Sequence, residues 1–151
     1  MNLSKAAVAI FAALIVLTPL VTAKEKQSSL SGLSEQLDAA RNIVSAVNAK
    51  DSNQYVQDLD PDVVVRMYDG AVRLRGKAAI RKNRAQHFLS HPEARNVLIH
   101  LVEVDNRVVM HDQIWLTRDQ SEPADIVEIF TFEEGKIVRI DVIQPEDLFT
   151  R

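Results

Sequence analysis

The sequence predicts a single small α+β domain in which three helices pack on a strongly curved antiparallel or mixed sheet and enclose a cone-shaped pocket. The chain has 151 residues, of which 46% are hydrophobic, and this suffices for one core but not for two independent ones. Helical periodicity dominates the first half of the chain, whereas its last third holds four strand-like segments separated by short turns. Helices that cover one side of a bent sheet leave a cavity between the two layers.

A signal peptide is predicted at residues 1–23. Lys5 supplies the positive start, residues 6–17 form an unbroken apolar run that Pro19 follows, and small residues predict cleavage after Ala23. The alternative is an uncleaved anchor, but the run is shorter than the roughly 20 residues that a membrane-spanning helix needs. We therefore expect a periplasmic or secreted protein that has no contact with the membrane after cleavage.

The domain itself is predicted at residues 34–151, after a polar, serine-rich linker at residues 24–33. Ser34 is a candidate N-cap, and apolar residues at three- and four-residue spacing then predict a helix that ends near Lys50. The elements expected next are a short second helix up to Asp60, hairpin strands over Val63–Tyr68 and Ala71–Arg75, and a third helix over Lys77–Leu89. The basic run at residues 81–84 is expected to face solvent.

Four strands rich in β-branched and aromatic residues complete the predicted fold, over Asn96–Val104, Arg107–Thr117, Asp125–Glu133 and Lys136–Gln144. Two-residue turns at Asp105-Asn106 and Glu134-Gly135, with a polar loop over residues 118–124 between the middle two strands, predict an antiparallel meander. Residues at equal distances from such a turn face each other, so we expect His100 opposite His111 and Glu128 opposite Asp141. A one-residue slip at either turn would dissolve these pairs.

These paired side chains are the candidate catalytic groups. We predict His111 and Asp141 as the acid/base residues, with His100 and Glu128 tuning their proton affinities. The further residues expected to support the pocket are Trp115, Tyr68, Arg66, Gln113 and Phe130. The alternative is that the two histidines lie on a solvent- or dimer-facing side of the sheet, and that the two carboxylates form an exposed rim neutralised by Arg139.

Three stretches of the chain carry a family resemblance in their order and spacing. They are Arg75-Gly76-Lys77 with the helix behind it, the strand Val108-Val109-Met110-His111-Asp112, and the hairpin from Ile129-Phe130 to Asp141. Together they resemble the SnoaL-like branch of the nuclear transport factor 2-like superfamily. The resemblance implies a cone-shaped, often dimeric domain, in a family that includes polyketide cyclases, ketosteroid isomerases, dehydratases and non-catalytic binding proteins. The chain departs from two of these enzyme patterns, because the general-base aspartate of ketosteroid isomerases would fall near Met67 and no His-Trp pair precedes Asp141.

We therefore expect an exported protein that binds a small, largely apolar molecule and acts on it by proton transfer, as an isomerase, dehydratase or cyclase does. The alternative is a non-catalytic ligand-binding or dimerisation module, and a weaker third one is a scavenging or immunity-type factor with a protein partner. Histidines and acids turned toward the helices would favour the enzyme. Aliphatic residues turned inward, with the histidines outward, would favour the module.

Composition argues against several other classes of function. The formal net charge of -3 disfavours nucleic acid as a partner, and the lack of cysteine excludes both disulfides and a lipid-anchored lipoprotein. The sequence holds no compact metal motif, glycine-rich phosphate loop or nucleophile elbow. We therefore expect neither a metal nor a cofactor, and a metal held by two histidines and a carboxylate is the weaker alternative. The family resemblance implies a homodimer as the assembly.

Overall fold

The computed structural model describes residues 23–145 and Leu148, with side chains from Glu35 onward. Three helices and six strands follow one another as α1 Ala23–Ala49, α2 Ser52–Tyr55, β1 Leu59–Met67, β2 Val72–Arg75, α3 Lys77–Ser90, β3 Arg95–Val104, β4 Arg107–Trp115, β5 Ala124–Glu133 and β6 Lys136–Ile143. The predicted signal peptide, apart from its last residue, lies outside the described residues. None of the described helices is long and apolar enough to cross a membrane.

The six strands form one curved sheet in the order β2-β1-β6-β5-β4-β3. All neighbouring strands are antiparallel except β1 and β6, which run parallel. Helices α1 and α3 pack across one side of this sheet. The arrangement confirms the predicted α+β class and the mixed, curved sheet.

The two sides of the sheet differ in burial, and we name them by their residues. The inner face, which the helices cover, consists of Val108, Met110 and Asp112 of β4, Ile126, Glu128 and Phe130 of β5, and Ile140 and Val142 of β6. The outer face consists of His100 and Val102 of β3, Val109 and His111 of β4, Ile129 of β5, and Arg139 and Asp141 of β6. The hydrophobic core lies between the inner face and the helices.

Helix α1 is longer than the sequence predicts. Its apolar stripe, with Ala40 and Ile43 in the core, lies where the periodicity places it, but the chain is already helical at Ala23, before the predicted N-cap Ser34. The expected linker at 24–33 is thus helical in the structure. The reason lies in its composition, because lysine, glutamate, glutamine and leucine are all good helix formers and outweigh the serines and one glycine.

Two register shifts decide which side chains share a face of the sheet. In the β3–β4 hairpin the shift lies beyond His100, so the predicted pairing of His100 with His111 is kept. In the β5–β6 hairpin the shift lies close to the turn, between Thr131 and Phe132, and one extra residue in β6 is left without a partner. Because side chains alternate along a strand, that single residue turns the rest of β6 over relative to the predicted register.

Candidate functional site

A cavity of about 480 Å³ lies between the inner face and the helices. Its walls are mainly aliphatic, and the side chains that form them include Ile43, Val47, Val65, Leu74, Ile114, Leu116, Ile126, Ile140 and Val142. The polar side chains that reach it include Tyr55, Asn83, Arg84, His87, Asn96 and Glu128. This size and this mixture are typical of a site for a small organic molecule. A wider depression beside α2 and α3, lined by residues such as Gln54 and Lys77, is open to solvent.

Glu128 is the carboxylate that the sheet turns into this cavity. It lies in the middle of β5, flanked across the sheet by Met110 and Val142, so its immediate neighbours give it little solvation. Burial, followed by the negative charge of Asp112, raises the pKa of Glu128 to about 8, although the positive charge of Arg84 acts in the opposite direction. Glu128 therefore holds its proton at neutral pH.

A second acid, Asp112, lies fully buried behind the cavity wall. Asn96 Nδ2 donates a hydrogen bond to Asp112 Oδ2, whereas Oδ1 has no hydrogen-bond partner. Asn96 is itself held by α1, because its backbone N–H donates to Asn48 Oδ1 at 2.8 Å and its carbonyl accepts from Asn48 Nδ2 at 2.9 Å. Burial raises the pKa of Asp112 to about 6. The two inner-face acids thus lie close enough for each to influence the titration of the other.

Helix α3 brings a cation and an imidazole to the same cavity. Arg84 and His87 lie three residues apart on the helix face that also carries the buried Ile80 and Phe88. Burial, followed by the nearby charge of Arg84, lowers the pKa of His87 to about 4, so this imidazole is neutral at neutral pH. The Arg84 guanidinium carbon lies 5.5 Å from the ring centroid of Tyr55. Burial raises the pKa of the Tyr55 hydroxyl well above its usual range, and the phenol keeps its proton.

This arrangement suits acid/base chemistry on an apolar molecule. The aliphatic walls exclude water, and the carboxyl group of Glu128 holds its proton near neutral pH, where a proton donor or acceptor is most effective. Arg84 and Tyr55 supply a positive charge and a hydroxyl donor at the same cavity. Groups of these two kinds stabilise negative charge that develops on a substrate oxygen.

The predicted acid/base residues lie elsewhere. His111 and His100 do face each other as predicted, with their Nδ1 atoms 3.2 Å apart, but both lie on the outer face. Asp141 lies on the same face and accepts a hydrogen bond of 2.7 Å from Arg139 Nε. Neither predicted catalytic residue lines the cavity.

The predicted pairing of Glu128 with Asp141 is wrong. Glu128 lies opposite Val142, and Asp141 lies opposite Ile129, because the extra residue in β6 shifts the register by one. The ion pair between Arg139 and Asp141, foreseen in the alternative interpretation, is present. Only the Glu128 half of the predicted carboxylate pair therefore reaches the interior.

The five supporting residues also lie away from the cavity lining. Trp115 stacks under the Arg95 guanidinium at 4.0 Å, and Gln113 donates a hydrogen bond to Asp125, both on the outer side of β4. The other three are Tyr68, which is 71% exposed, Arg66, which pairs in register with Asp141, and Phe130, which is fully buried in the core. Of the nine predicted site residues, Glu128 alone lines the cavity.

Sequence reasoning missed Asp112, Arg84, His87 and Tyr55, and a signal existed for two of them. Asp112 alternates with Met110 and the following isoleucine in an aliphatic row, where an unpaired charge is costly and therefore informative. Arg84 lies four residues from both Ile80 and Phe88, and therefore on the apolar stripe of α3.

The outward histidine pair favours a binding module, whereas the two inward acids and His87 favour an enzyme.

Comparison with known proteins places the fold among characterised architectures. Among solved structures, the chain is similar to an uncharacterised cystatin-fold protein from Novosphingobium aromaticivorans, with 28% identity over 72% of this chain and 97% of that one, at a TM-score of 0.65. A SnoaL-like protein of unknown function from Burkholderia thailandensis shares 15% identity over 74% and 96% of the two chains, at a TM-score of 0.63. TerC, co-crystallised with polyporic acid, shares 21% identity over 77% and 95%, at a TM-score of 0.65.

The family assignment depends on a sequence match rather than on these shapes. Comparison with curated proteins gives no match. The family model of the SnoaL-like domain, in contrast, matches residues 40–140, which span α1 to β6 and more than half of the chain. The chain therefore belongs to the SnoaL-like domain family.

Proposed function

We propose that this protein binds a small, largely apolar molecule in the cavity and transfers a proton next to a carbonyl group of that molecule, with Glu128 as the acid/base residue. The observation that carries the proposal is a carboxyl group inside an aliphatic cavity, with its pKa raised to about 8. Perturbed acids of this kind cluster at catalytic sites. The reaction class is isomerisation, dehydration or cyclisation.

The surroundings of Glu128 support this assignment. The aliphatic walls favour an apolar ligand, and a carboxyl group with this pKa donates a proton or takes one back with a small free-energy difference at neutral pH. Removal of a proton from the carbon next to a carbonyl gives an enolate, whose oxygen carries negative charge. The Arg84 guanidinium and the Tyr55 hydroxyl would stabilise this charge. TerC, a protein of the same fold, was co-crystallised with polyporic acid, which fits a cavity for organic ligands.

The test is proton exchange at the carbon next to the carbonyl of a bound ligand. The purified protein is incubated in D₂O with a panel of small β-keto and steroid-like ketones, and NMR follows the replacement of hydrogen by deuterium. At pH 8 about half of the Glu128 carboxyl groups are ionised and can take a proton from carbon. At this pH we expect Glu128→Gln to slow the exchange by about 100-fold or more, because the amide cannot take the proton. Asp141→Asn on the outer face is the matched control and should leave the rate unchanged.

The same panel separates catalysis from binding alone. Some ligands could shift the NMR signals of cavity residues in both the unmodified protein and Glu128→Gln, with no hydrogen–deuterium exchange in either. This result would support the non-catalytic binding module. Exchange that survives in Glu128→Gln would refute the role of Glu128.

The outer face favours dimerisation as a second, compatible property. Val102 and Val104 of β3 are 53% and 59% exposed, and Ile143 of β6 is also exposed. Apolar side chains that are exposed together on one face commonly mark a surface that another protein chain covers. We propose that two copies associate through this face. In sedimentation velocity Val102→Asp should convert a dimer into a monomer, and a monomeric parent protein would refute the proposal.

We also propose, from the N-terminal sequence, that the protein is exported. A basic start, an apolar run and small residues before Ala23 support removal of residues 1–23 during secretion. Intact mass of the protein recovered from a bacterial periplasm should correspond to a chain that starts at Lys24. A mass that includes Met1 would refute cleavage.

A further inference from the structure

Beyond the proposed function, we propose that His100 and His111 form a binding site on the outer face for a divalent transition-metal ion of the kind that prefers imidazole ligands, with Zn²⁺ as the probe. The site lies on the side of the sheet opposite the cavity, so it is separate from the proposed catalytic groups. Both histidines lie on adjacent antiparallel strands and are directly opposite in register.

The separation of the two imidazoles matches a shared metal ion. The Nδ1 atoms lie 3.2 Å apart, and each nitrogen points toward the other as in a hydrogen bond. A zinc ion about 2.0–2.1 Å from both nitrogens would subtend an angle of about 105°, close to the tetrahedral value. The N–N distance therefore needs little change, but each ring must turn so that its Nδ1 lone pair points at the ion instead of at the other nitrogen.

Asp125 gives the pair a second feature of metal sites. His111 Nε2 lies 2.9 Å from Asp125 Oδ1, and Gln113 Nε2 donates to the same oxygen at 3.2 Å. Ligating histidines commonly donate their other N–H to a carboxylate, which fixes the tautomer and raises the basicity of the ligating nitrogen. With its proton on Nε2, His111 presents the lone pair of Nδ1 to the ion.

The site is accessible and incomplete. His100 is exposed, and the side chain of His111 is 28% exposed. In the described part of the chain no three histidine or acidic side chains converge on one point, so this protein supplies two nitrogens. Water, or the same pair from a second copy, fills the remaining positions. Binding requires His100 to shift its proton from Nδ1 to Nε2, an ordinary change of tautomer.

The other two histidines of the chain provide a matched control. His87 and His91 lie one turn apart on α3 with ring centroids 4.6 Å apart, a spacing that also suits metal ligands. His91 Nδ1, however, lies 3.3 Å from the carbonyl oxygen of His87, and the His87 ring lines the cavity. The two nitrogens are therefore not presented together to solvent.

The experiment is calorimetric titration of the purified protein with Zn²⁺, combined with ¹⁵N NMR of the histidine rings. We expect saturable binding with one ion per chain or one per two chains, and a change in the Nδ1 signals of His100 and His111. His100→Ala and His111→Ala should each weaken binding by about 10-fold or more, and Asp125→Asn by a similar factor through His111. His91→Ala should leave the affinity unchanged.

Two results would overturn the proposal. One is Zn²⁺ binding that His100→Ala leaves unchanged and His91→Ala removes, which would place the ion on α3. The other is the absence of saturable binding to the unmodified protein. If His100→Ala does not fold, His100→Gln, which keeps a polar side chain of similar size, replaces it in the same titration.

Discussion

The inner and outer faces of one sheet carry acids in contrasting surroundings. On the inner face, Glu128 and Asp112 are buried, and burial raises both pKa values. On the outer face, Asp141 pairs with Arg139, and Asp125 accepts hydrogen bonds from His111 and Gln113. The residues differ little in type, so the contrast comes from their surroundings. Chemistry that needs a proton near neutral pH is thus favoured where water and counter-charges are scarce.

The largest expected contrast between the faces is in folding stability. Phe130 is fully buried on the inner face, whereas Tyr68, directly after β1, is 71% exposed. Phe130→Ala should lower the free energy of unfolding by about 3–5 kcal/mol, because it removes a core ring and leaves a cavity. Tyr68→Ala should change it by less than about 0.5 kcal/mol. Urea denaturation at low protein concentration measures both, and a loss above about 2 kcal/mol at Tyr68 would mean that this side chain is covered within one copy of the chain.

Much of the fold was predictable because local patterns determine it. The boundaries of α3 and of every strand except β1 lie within two residues of their predicted positions, since alternation and turn residues report directly on burial and chain reversal. Strand β1 begins at Leu59, four residues before its predicted start, and α2 ends at Tyr55 instead of reaching Asp60. The start of α1 was not predictable in this way. A polar segment that lacks a core-facing stripe is compatible with either a linker or a helix extension. Such a segment becomes helical when an adjoining helix has already formed, because extending a helix is easier than starting one.

The site was less predictable because it depends on register. Equal distances from the β3–β4 turn placed His100 opposite His111 correctly, since no bulge intervenes. The same reasoning failed for Asp141, because one extra residue in β6 turns the Asp141 side chain to the face opposite that of Glu128. Asp112 could have been recognised as a buried charge in an aliphatic row. The convergence of Arg84 and Glu128 on one cavity depends on the packing of α3 against β1 and β2, which no local pattern encodes.

The second expected contrast is the dependence of stability on pH. In the unfolded chain Glu128 titrates near its ordinary pKa of 4.5, whereas in the folded protein its pKa is about 8. Between these values the folded state holds a proton that the unfolded state lacks, so stability falls as pH rises. Below pH 6.5, His87 acts in the opposite direction because its folded pKa is lowered to about 4. The window from pH 6.5 to 8 therefore isolates Glu128.

Within that window we expect the free energy of unfolding to fall by about 1–2 kcal/mol. Glu128→Gln should remove this fall, because the amide has no proton to lose, and Asp141→Asn should keep it. Urea denaturation at pH 6.5, 7.2 and 8 measures the slope for each variant. An equal fall in Glu128→Gln would show that another group carries it and that the carboxyl group is better solvated than the structure indicates.

The smallest expected effect is the coupling between Arg139 and Asp141 on the outer face. Their side chains are 37% and 19% exposed, and the Nε to Oδ2 distance is 2.7 Å. Solvent screens such a pair, so a double-mutant cycle with Arg139→Ala and Asp141→Asn should give a coupling free energy of no more than about 1 kcal/mol. A coupling above about 2 kcal/mol at low protein concentration would mean that the pair is more shielded than its exposure suggests. If the coupling instead rises with protein concentration, a second copy covers the pair, because association removes the water that weakens it.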